Sequence, residues 1–310
     1  MLLCVCLTFC SCGSNESTEK PSAVSSDTAA KDSSPATTDT AGSRDNTPVV
    51  LTGSADGTVT YGNDSVTVDA SHTEEGYLMV SYLGSNSKVK LQITGSDEIT
   101  YTYNLHDGYE TFPLTSGSGS YTVGVFENIE GTSYSTLFTQ AIDVTIQDEF
   151  GPYLYANQYV NFSADSKVIS KAMELSASAN DDLEVIENVY NYIITNFTYD
   201  YDKAASVQSG YLPNVDEVLA SQTGICFDYA AVMASMLRCE RIPTRLEVGY
   251  MGDVYHAWIS TYIKDKGWVN GIIEFDGNDW KLMDPTFAST SSDPKDFLTQ
   301  TDEYITKYVY

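Results

Sequence analysis

The sequence predicts a multidomain chain: an all-β sandwich of immunoglobulin-like kind over residues 48–148, then an α+β domain over residues 150–310. Three observations predict it. From 48 to 148, short apolar–polar alternations are broken by Gly, Asn, Asp and Ser, the pattern of half-buried strands. After 150 the apolar residues recur every three or four positions, the spacing of one helical face. Beyond about residue 244 the alternation returns, and helices followed by an antiparallel sheet make an α+β domain. At 310 residues the chain is long enough for two cores.

The N-terminus comes first. Met1 to Ser14 holds a short apolar run ending in Cys10, Ser11, Cys12 and Gly13. It falls far below the ~20 residues that span a bilayer and matches the hydrophobic core of a secretory signal. The pattern over residues 1–12 resembles a bacterial lipoprotein signal, which implies Cys12 as the lipid-bearing residue. Cys10 is the poorer site, because the bulky Phe9 precedes it. The implied location is the outer face of a bacterial cell membrane, with plain secretion as the alternative. Residues 13–47 are Ser, Thr, Ala and Asp with almost no large apolar side chain, and are expected to form a disordered tether. A flexible coil of that length holds its ends roughly 30–35 Å apart.

The formal charge of −27 excludes nucleic-acid binding, since no basic face is available for phosphates. It also argues against electrostatic adhesion to anionic lipid, so membrane contact is expected only through the anchor. The acidity is spread along the chain: 5 Lys/Arg face 20 Asp/Glu before residue 150, and 11 face 23 after it. That spread reads as solubility and mutual repulsion rather than as an acidic site. Outside the signal only Cys12, Cys226 and Cys239 remain, which is no disulfide framework. On one helix, Cys226 and Cys239 would stand about 20 Å apart, beyond the roughly 4.4–6.8 Å a disulfide spans. Cys239 is expected as a buried apolar group.

Within the sandwich, strands are expected at 58–61, 65–68, 77–82, 88–93, 99–103, 121–126 and 136–146. His72 and His106 fall at turns, without visible partners, and read as surface histidines. The many tyrosines suit strands with one wet edge, a sugar-stacking face being the alternative. In the second domain, 166–177 suits a helix. Asp181 and Asp182 then offer a capping carboxylate for Leu183, Ile186, Val189, Tyr190, Ile193 and Phe197. Residues 216–220 form a brief helical turn, and a third helix runs from Cys226 to about Glu240, stopped before Pro243. Strands follow at 245–250, 256–263, 268–275 and 280–283, with a hairpin turn at 276–279 that lacks the ligands of a calcium loop.

The chemistry concentrates in this second domain. Gly224 gives a tight approach to a helix whose first turn holds Cys226. There the unpaired amides and the positive end of the helix dipole favour a thiolate, and the same amides can serve as oxyanion donors. His256 is the only histidine after residue 106, and Asp284 lies beyond it at the end of a strand. Thiol, imidazole and carboxylate are the groups that thiol acyl transfer needs: nucleophile, proton carrier, and orienting anion.

Gly224-Ile225-Cys226-Phe227-Asp228-Tyr229-Ala230, then His256-Ala257-Trp258, then Asp284-Pro285-Thr286 resembles the transglutaminase-like superfamily over roughly residues 150–290. The resemblance implies a papain-like cysteine proteinase fold. It carries over Cys226 as nucleophile, His256 as general base and Asp284 as the residue orienting the imidazole. Trp258 would flank the base and Asp228 would lie just beyond the nucleophile, neither with a chemical step. The second oxyanion donor is unassigned, with Gln222 and the tyrosines near Tyr199 as candidates. The spacing separates this order from papain-type sequences: 30 residues part Cys226 from His256, against some 130–150 there.

The expected function is therefore a surface-anchored thiol acyl-transfer enzyme acting on peptide or glutamine amides, as cysteine peptidase, deamidase or transglutaminase. Hydrolysis is favoured over cross-linking. The alternative is a non-catalytic cell-surface binding or scaffold protein on the same fold. The expected partner is a protein or peptide substrate, cell-wall associated peptide included. No cofactor is called for, and no His/Cys/carboxylate cluster has metal-ligand spacing. Nothing in the sequence sets an oligomeric state.

Overall fold

In a computed structural model, residues 42–270, 272–275, 280–283 and 304–310 are described. Expectations for the signal, Cys12, most of the tether, the 276–279 turn and Asp284 lie outside them. The first part consists of β1 (Thr60–Gly62), β2 (Val66–Asp69), β3 (Tyr77–Tyr82), β4 (Val89–Thr94), β5 (Thr100–Leu105), β6 (Gly108–Pro113), β7 (Gly119–Glu130) and β8 (Ser133–Val144). They form two four-stranded antiparallel sheets, ordered β1-β2-β3-β6 and β5-β4-β7-β8. Alternation does the folding. β4 buries Val89, Leu91 and Ile93 and leaves Lys90, Gln92 and Thr94 outward, while β5 buries Tyr101, Tyr103 and Leu105.

Two expectations are corrected here. β6 is absent from the expected strands, because Gly108 and Pro113 bound a strand carrying Tyr109, Glu110 and Thr111, with only Phe112 and Pro113 buried. The two histidines do lie at the surface, His106 exposed and His72 partly so, but each has carboxylate partners. His72 lies 3.0 Å from Asp56 and 3.3 Å from Glu75, and His106 lies 3.0 Å from Glu110. Burial works against the charge of His72, but the two carboxylates outweigh it and raise its pKa.

The second part begins with α1 (Lys167–Ser176) and α2 (Asp182–Asn196). Asp181 caps α2 by accepting from the Glu184 amide at 3.0 Å, and Val185, Ile186, Val189, Tyr190 and Ile193 are buried on one face. Then come β9 (Thr198–Tyr199), α3 (Tyr201–Ser206), α4 (Val215–Ser221), β10 (Thr223–Gly224) and α5 (Cys226–Cys239). α5 is buried on every side from Asp228 to Cys239, because α1, α2 and α4 cover one flank and a sheet the other. That sheet joins β11 (Thr244–Met251), β12 (Val254–Ile263), β13 (Gly267–Asn270) and β16 (Tyr304–Val309) in the antiparallel order β13-β12-β11-β16. β14 (Ile272–Phe275) and β15 (Trp280–Met283) pair as a separate hairpin. The single strand expected at 268–275 is thus divided between two sheets.

The expected boundaries differ in two places. Residues 42–47 were assigned to the tether, yet they are fixed to the helices. Arg44 reaches Asp182 at 2.7 Å and the buried Glu240 at 3.1 Å, and the Val49 amide donates to the Cys239 carbonyl at 2.7 Å. The two parts also pack as one unit, residues 40–310, with a continuous apolar core. Tyrosines make the joint: Tyr101 meets Tyr308 and Tyr310 edge-on at 5.6 Å, and Tyr103 meets Tyr310 at 6.0 Å. Arg238, 1 % exposed, completes it by donating to the carbonyls of Thr244, Tyr155 and Tyr310 at 2.7–3.0 Å. Burial lowers its pKa to about 9, so the side chain stays charged at neutral pH.

Glu240 yields a pH prediction. Burial raises its pKa above the ordinary value of 4.5, and Ser176 and Arg44 offset this only in part. Between the unfolded and folded pKa values the native state holds more protons, so stability falls as pH rises through that window. The stability difference between wild type and Glu240→Gln, from urea midpoints at pH 4.5 and 7.5, is expected to move against wild type at the higher pH. Movement in its favour would contradict the account.

Candidate active site

The chain enters α5 through a clip. β10 runs parallel to β9, pairing Thr198 with Thr223 and Tyr199 with Gly224, and the Asp200 amide donates to the Gly224 carbonyl at 2.9 Å. Gln222 makes the turn from α4 with φ of 50°, in the left-handed region that ends helices. Ile225 is extended, and Cys226 opens the helix, partly exposed. The first-turn amides of α5 supply the dipole end and the candidate oxyanion donors.

One side chain fixes this entry. Asp228 is fully buried and accepts from the Ile225 amide at 2.8 Å, from Lys203 Nζ at 2.6 Å and from the Tyr211 hydroxyl at 2.5 Å. As the third helical residue it closes half of a capping box on the chain just before Cys226. Gly224 is required by the same approach: a Cβ there would stand 2.7 Å from Asp228 Cβ and 2.8 Å from its Oδ2. Lys203 also donates to Tyr211 at 2.7 Å and lies 4.3 Å from its ring centroid. Burial opposes the lysine charge, but Asp228 and Tyr211 outweigh it and its pKa is raised. The Tyr211 hydroxyl is pushed up to about 12, by burial first and then by Asp228. The segment 200–211 is thereby clamped to the first turn of α5.

His256 lies on β12, 4 % exposed, paired across the ladder with Gly249. Its ring stacks on Trp258, two residues on and so on the same face, at 6.1 Å, and meets Tyr304 of β16 at 6.4 Å. Gly249 lets β16 approach, since a Cβ there would fall 2.0 Å from the Ile305 carbonyl oxygen beside a register shift.

Cys226 and His256 line one cavity of about 610 Å3. Its walls carry tyrosines 159, 199, 211, 255, 308 and 310, the stretch 207–211, and Thr102 from β5. Among the described residues, no Lys, Arg, Asp or Glu lines it. Tyr199 places its hydroxyl against the Cys226 main-chain amide, and its pKa is pushed up to about 12 by burial and then by Cys226. Gln222, the other candidate donor, does not line the cavity and reaches the Tyr192 hydroxyl at 3.4 Å instead. Asp284, expected to orient the imidazole, lies outside the described residues. Cys239 is buried, free, and pushed up to about 12 by burial, as expected of an inert packing thiol. No group of three or more His, Cys, Asp or Glu side chains among the described residues forms a metal cluster.

The clamp was missing from the sequence reading. Asp228 at the third helical position was a capping signal, but Lys203 and Tyr211 lie 25 and 17 residues away and announce nothing. Asp228→Ala is expected to lower stability by about 3 kcal/mol, because it strands a buried amide and a lysine. Asp228→Asn, which can still accept from Ile225, should cost less. Equal urea midpoints for the two variants would contradict the capping role.

Residues 169–271 match the Transglutaminase-like superfamily, a segment that includes Cys226 and His256 and ends before Asp284. The chain is 28 % identical over 89 residues to a UPF0252 protein of Methanocaldococcus jannaschii, across 27 % of this chain and 24 % of that one. It therefore spans about a quarter of that relative's length. Among solved structures it is similar to the periplasmic domain of TgpA from Pseudomonas aeruginosa, with TM-score 0.33, 14 % identity and 77 % and 100 % of the two chains covered. Red sea bream transglutaminase gives TM-score 0.30 and 14 % identity over 71 % and 49 %. Likeness that distant does not extend to activity or substrate. Over residues 169–271, about a third of its length, the chain is similar to the transglutaminase-like superfamily.

Proposed function

We propose that the chain is a thiol acyl-transfer enzyme acting on peptide or glutamine amides, with Cys226 as nucleophile, His256 as general base and Asp284 orienting the imidazole. The observation that carries this reading is the single cavity lined by Cys226, at the start of α5, and by His256. The thiolate attacks the amide carbonyl, and the carbon–nitrogen bond breaks as His256 returns the proton to the leaving amine or ammonia. The Cys226 amide, which donates to the Tyr199 oxygen, would turn to the oxyanion when substrate binds, with the Tyr199 hydroxyl as the second candidate donor. Water or an amine then resolves the thioester. The described wall, rich in tyrosine and without a basic partner for a carboxylate among the described residues, suits an uncharged amide. We favour hydrolysis.

The setting is part of the same proposal. Residues 48–148, with their two antiparallel sheets, are an immunoglobulin-like sandwich, and residues 13–41 tether the folded part to a lipid on Cys12 at the outer face of a bacterial membrane, or to nothing in a secreted form. Iodoacetamide at mildly acidic pH is expected to alkylate Cys226 faster than free cysteine, with His256→Ala slowing it at least tenfold. A spectator thiol, as in a binding protein, would react no faster than free cysteine in either protein. A glutamine peptide offered with and without a fluorescent amine then selects water or amine as acceptor; release of product that the amine does not divert is expected.

A further inference from the structure

β5 is an edge strand, paired on one side with β4 and on the other with nothing in its sheet. The ladder fixes which of its main-chain groups face outward. The Asn128 amide donates to the Lys88 carbonyl, so the even-numbered residues of β4 turn their main-chain groups to β7 and the odd-numbered ones to β5. In register, Tyr101, Tyr103 and Leu105 bond to β4, while Thr100, Thr102 and Asn104 point off the edge. The Asn104 carbonyl confirms the direction, for it accepts from Gln158 Nε2 at 2.7 Å. Gln158 thus closes one end of the edge. Thr100 and Thr102 are exposed, and among the described residues no hydrogen bond satisfies their outward amides and carbonyls.

Such an edge is a template for another strand. This one opens where the cavity is: Thr102 lines the same cavity as Cys226 and His256. Gly210, from the clamped segment, approaches Asn104 so closely that a Cβ would fall 2.4 Å from its Nδ2. We propose that the β5 edge is a docking strand for an extended polypeptide substrate, which adds to Thr100–Thr102 by main-chain hydrogen bonds and presents its amide to Cys226. The inference rests on the acyl-transfer reading above. Continuity of edge and cavity selects the occupant, and the tyrosines of the described wall select its chemistry: an unfolded segment whose inward side chains pack on aromatic rings. Side chains alternate along a strand, so every second one would face the tyrosines.

The test uses the Cys226→Ala chain, which binds without turnover, and a fluorescein-labelled, capped ten-residue peptide with one central glutamine among Ser, Thr and Val. Thr102→Pro removes the outward amide while sparing the β4 ladder, the one kind of strand position where proline is tolerated. Anisotropy is expected to show about tenfold weaker binding, the worth of one main-chain hydrogen bond, while Thr102→Gly stays within twofold. Should Thr102→Pro fail to fold, single N-methyl groups along the peptide decide on the unaltered edge. Loss of affinity at every second position supports the proposal, and a uniform profile or no binding at millimolar peptide overturns it. A chain that dimerises through this edge, with Thr102→Pro monomeric and peptide affinity unchanged, also overturns it. Turnover by the Cys226 chain of a short capped glutamine dipeptide reports separately on the chemistry.

Discussion

The buried carboxylate of Asp228 is the constraint from which the site is built. It cannot sit unpaired in the interior, where an uncompensated charge costs several kcal/mol. Three donors therefore gather round it: the Ile225 amide, Lys203 and Tyr211. Each brings a different part of the site with it. The amide sets the chain that leads into Cys226, the lysine and tyrosine bring the cavity wall at Ala204 and 207–211, and Gly224 yields the space the carboxylate occupies. First-turn amides, dipole and wall are thereby placed relative to one sulfur by one anion.

The opposing half of the site depends on β16 and the last residue. Tyr304 backs the His256–Trp258 stack, Gly249 admits the strand, and Tyr308 and Tyr310 carry the joint to Tyr101 and Tyr103 of β5. The Tyr310 main-chain oxygen ends on Arg238, whose guanidinium also donates to the carbonyls of Thr244 and Tyr155. A planar fork with five donors suits that task in a way a lysine does not. The consequence is functional: the N-terminal sheets are packed into the same unit as the cavity and supply Thr102 to its wall.

Features carried by local periodicity and capping were legible in the sequence. α2 and α5, the strands β11 and β12, and the placement of Cys226 at a helix start all follow from apolar spacing, Asp181, Gly224 and Pro243. Features made by distant partners were not. α3 is six residues without a buried side chain, defined by its Asp200 cap and by Lys203 reaching α5. β16, Tyr304–Val309, carries Thr306 and Lys307 outward and owes its existence to pairing with a strand some sixty residues earlier. The strap at 42–47 reads as polar linker until Arg44 finds the buried Glu240. His72 likewise shows its partners only when the turn containing Asp56 folds against it.

The central claim is a covalent one: the sulfur of Cys226 carries the acyl group. Intact mass measurement after acid quenching of the chain with an activated acyl ester, followed by peptide mapping, addresses it directly. The account predicts a single acyl adduct on Cys226 that is removed by hydroxylamine, as a thioester is, with Cys239 unmodified. An adduct on Cys239 or on no cysteine, from a folded chain whose cavity admits the ester, would contradict it.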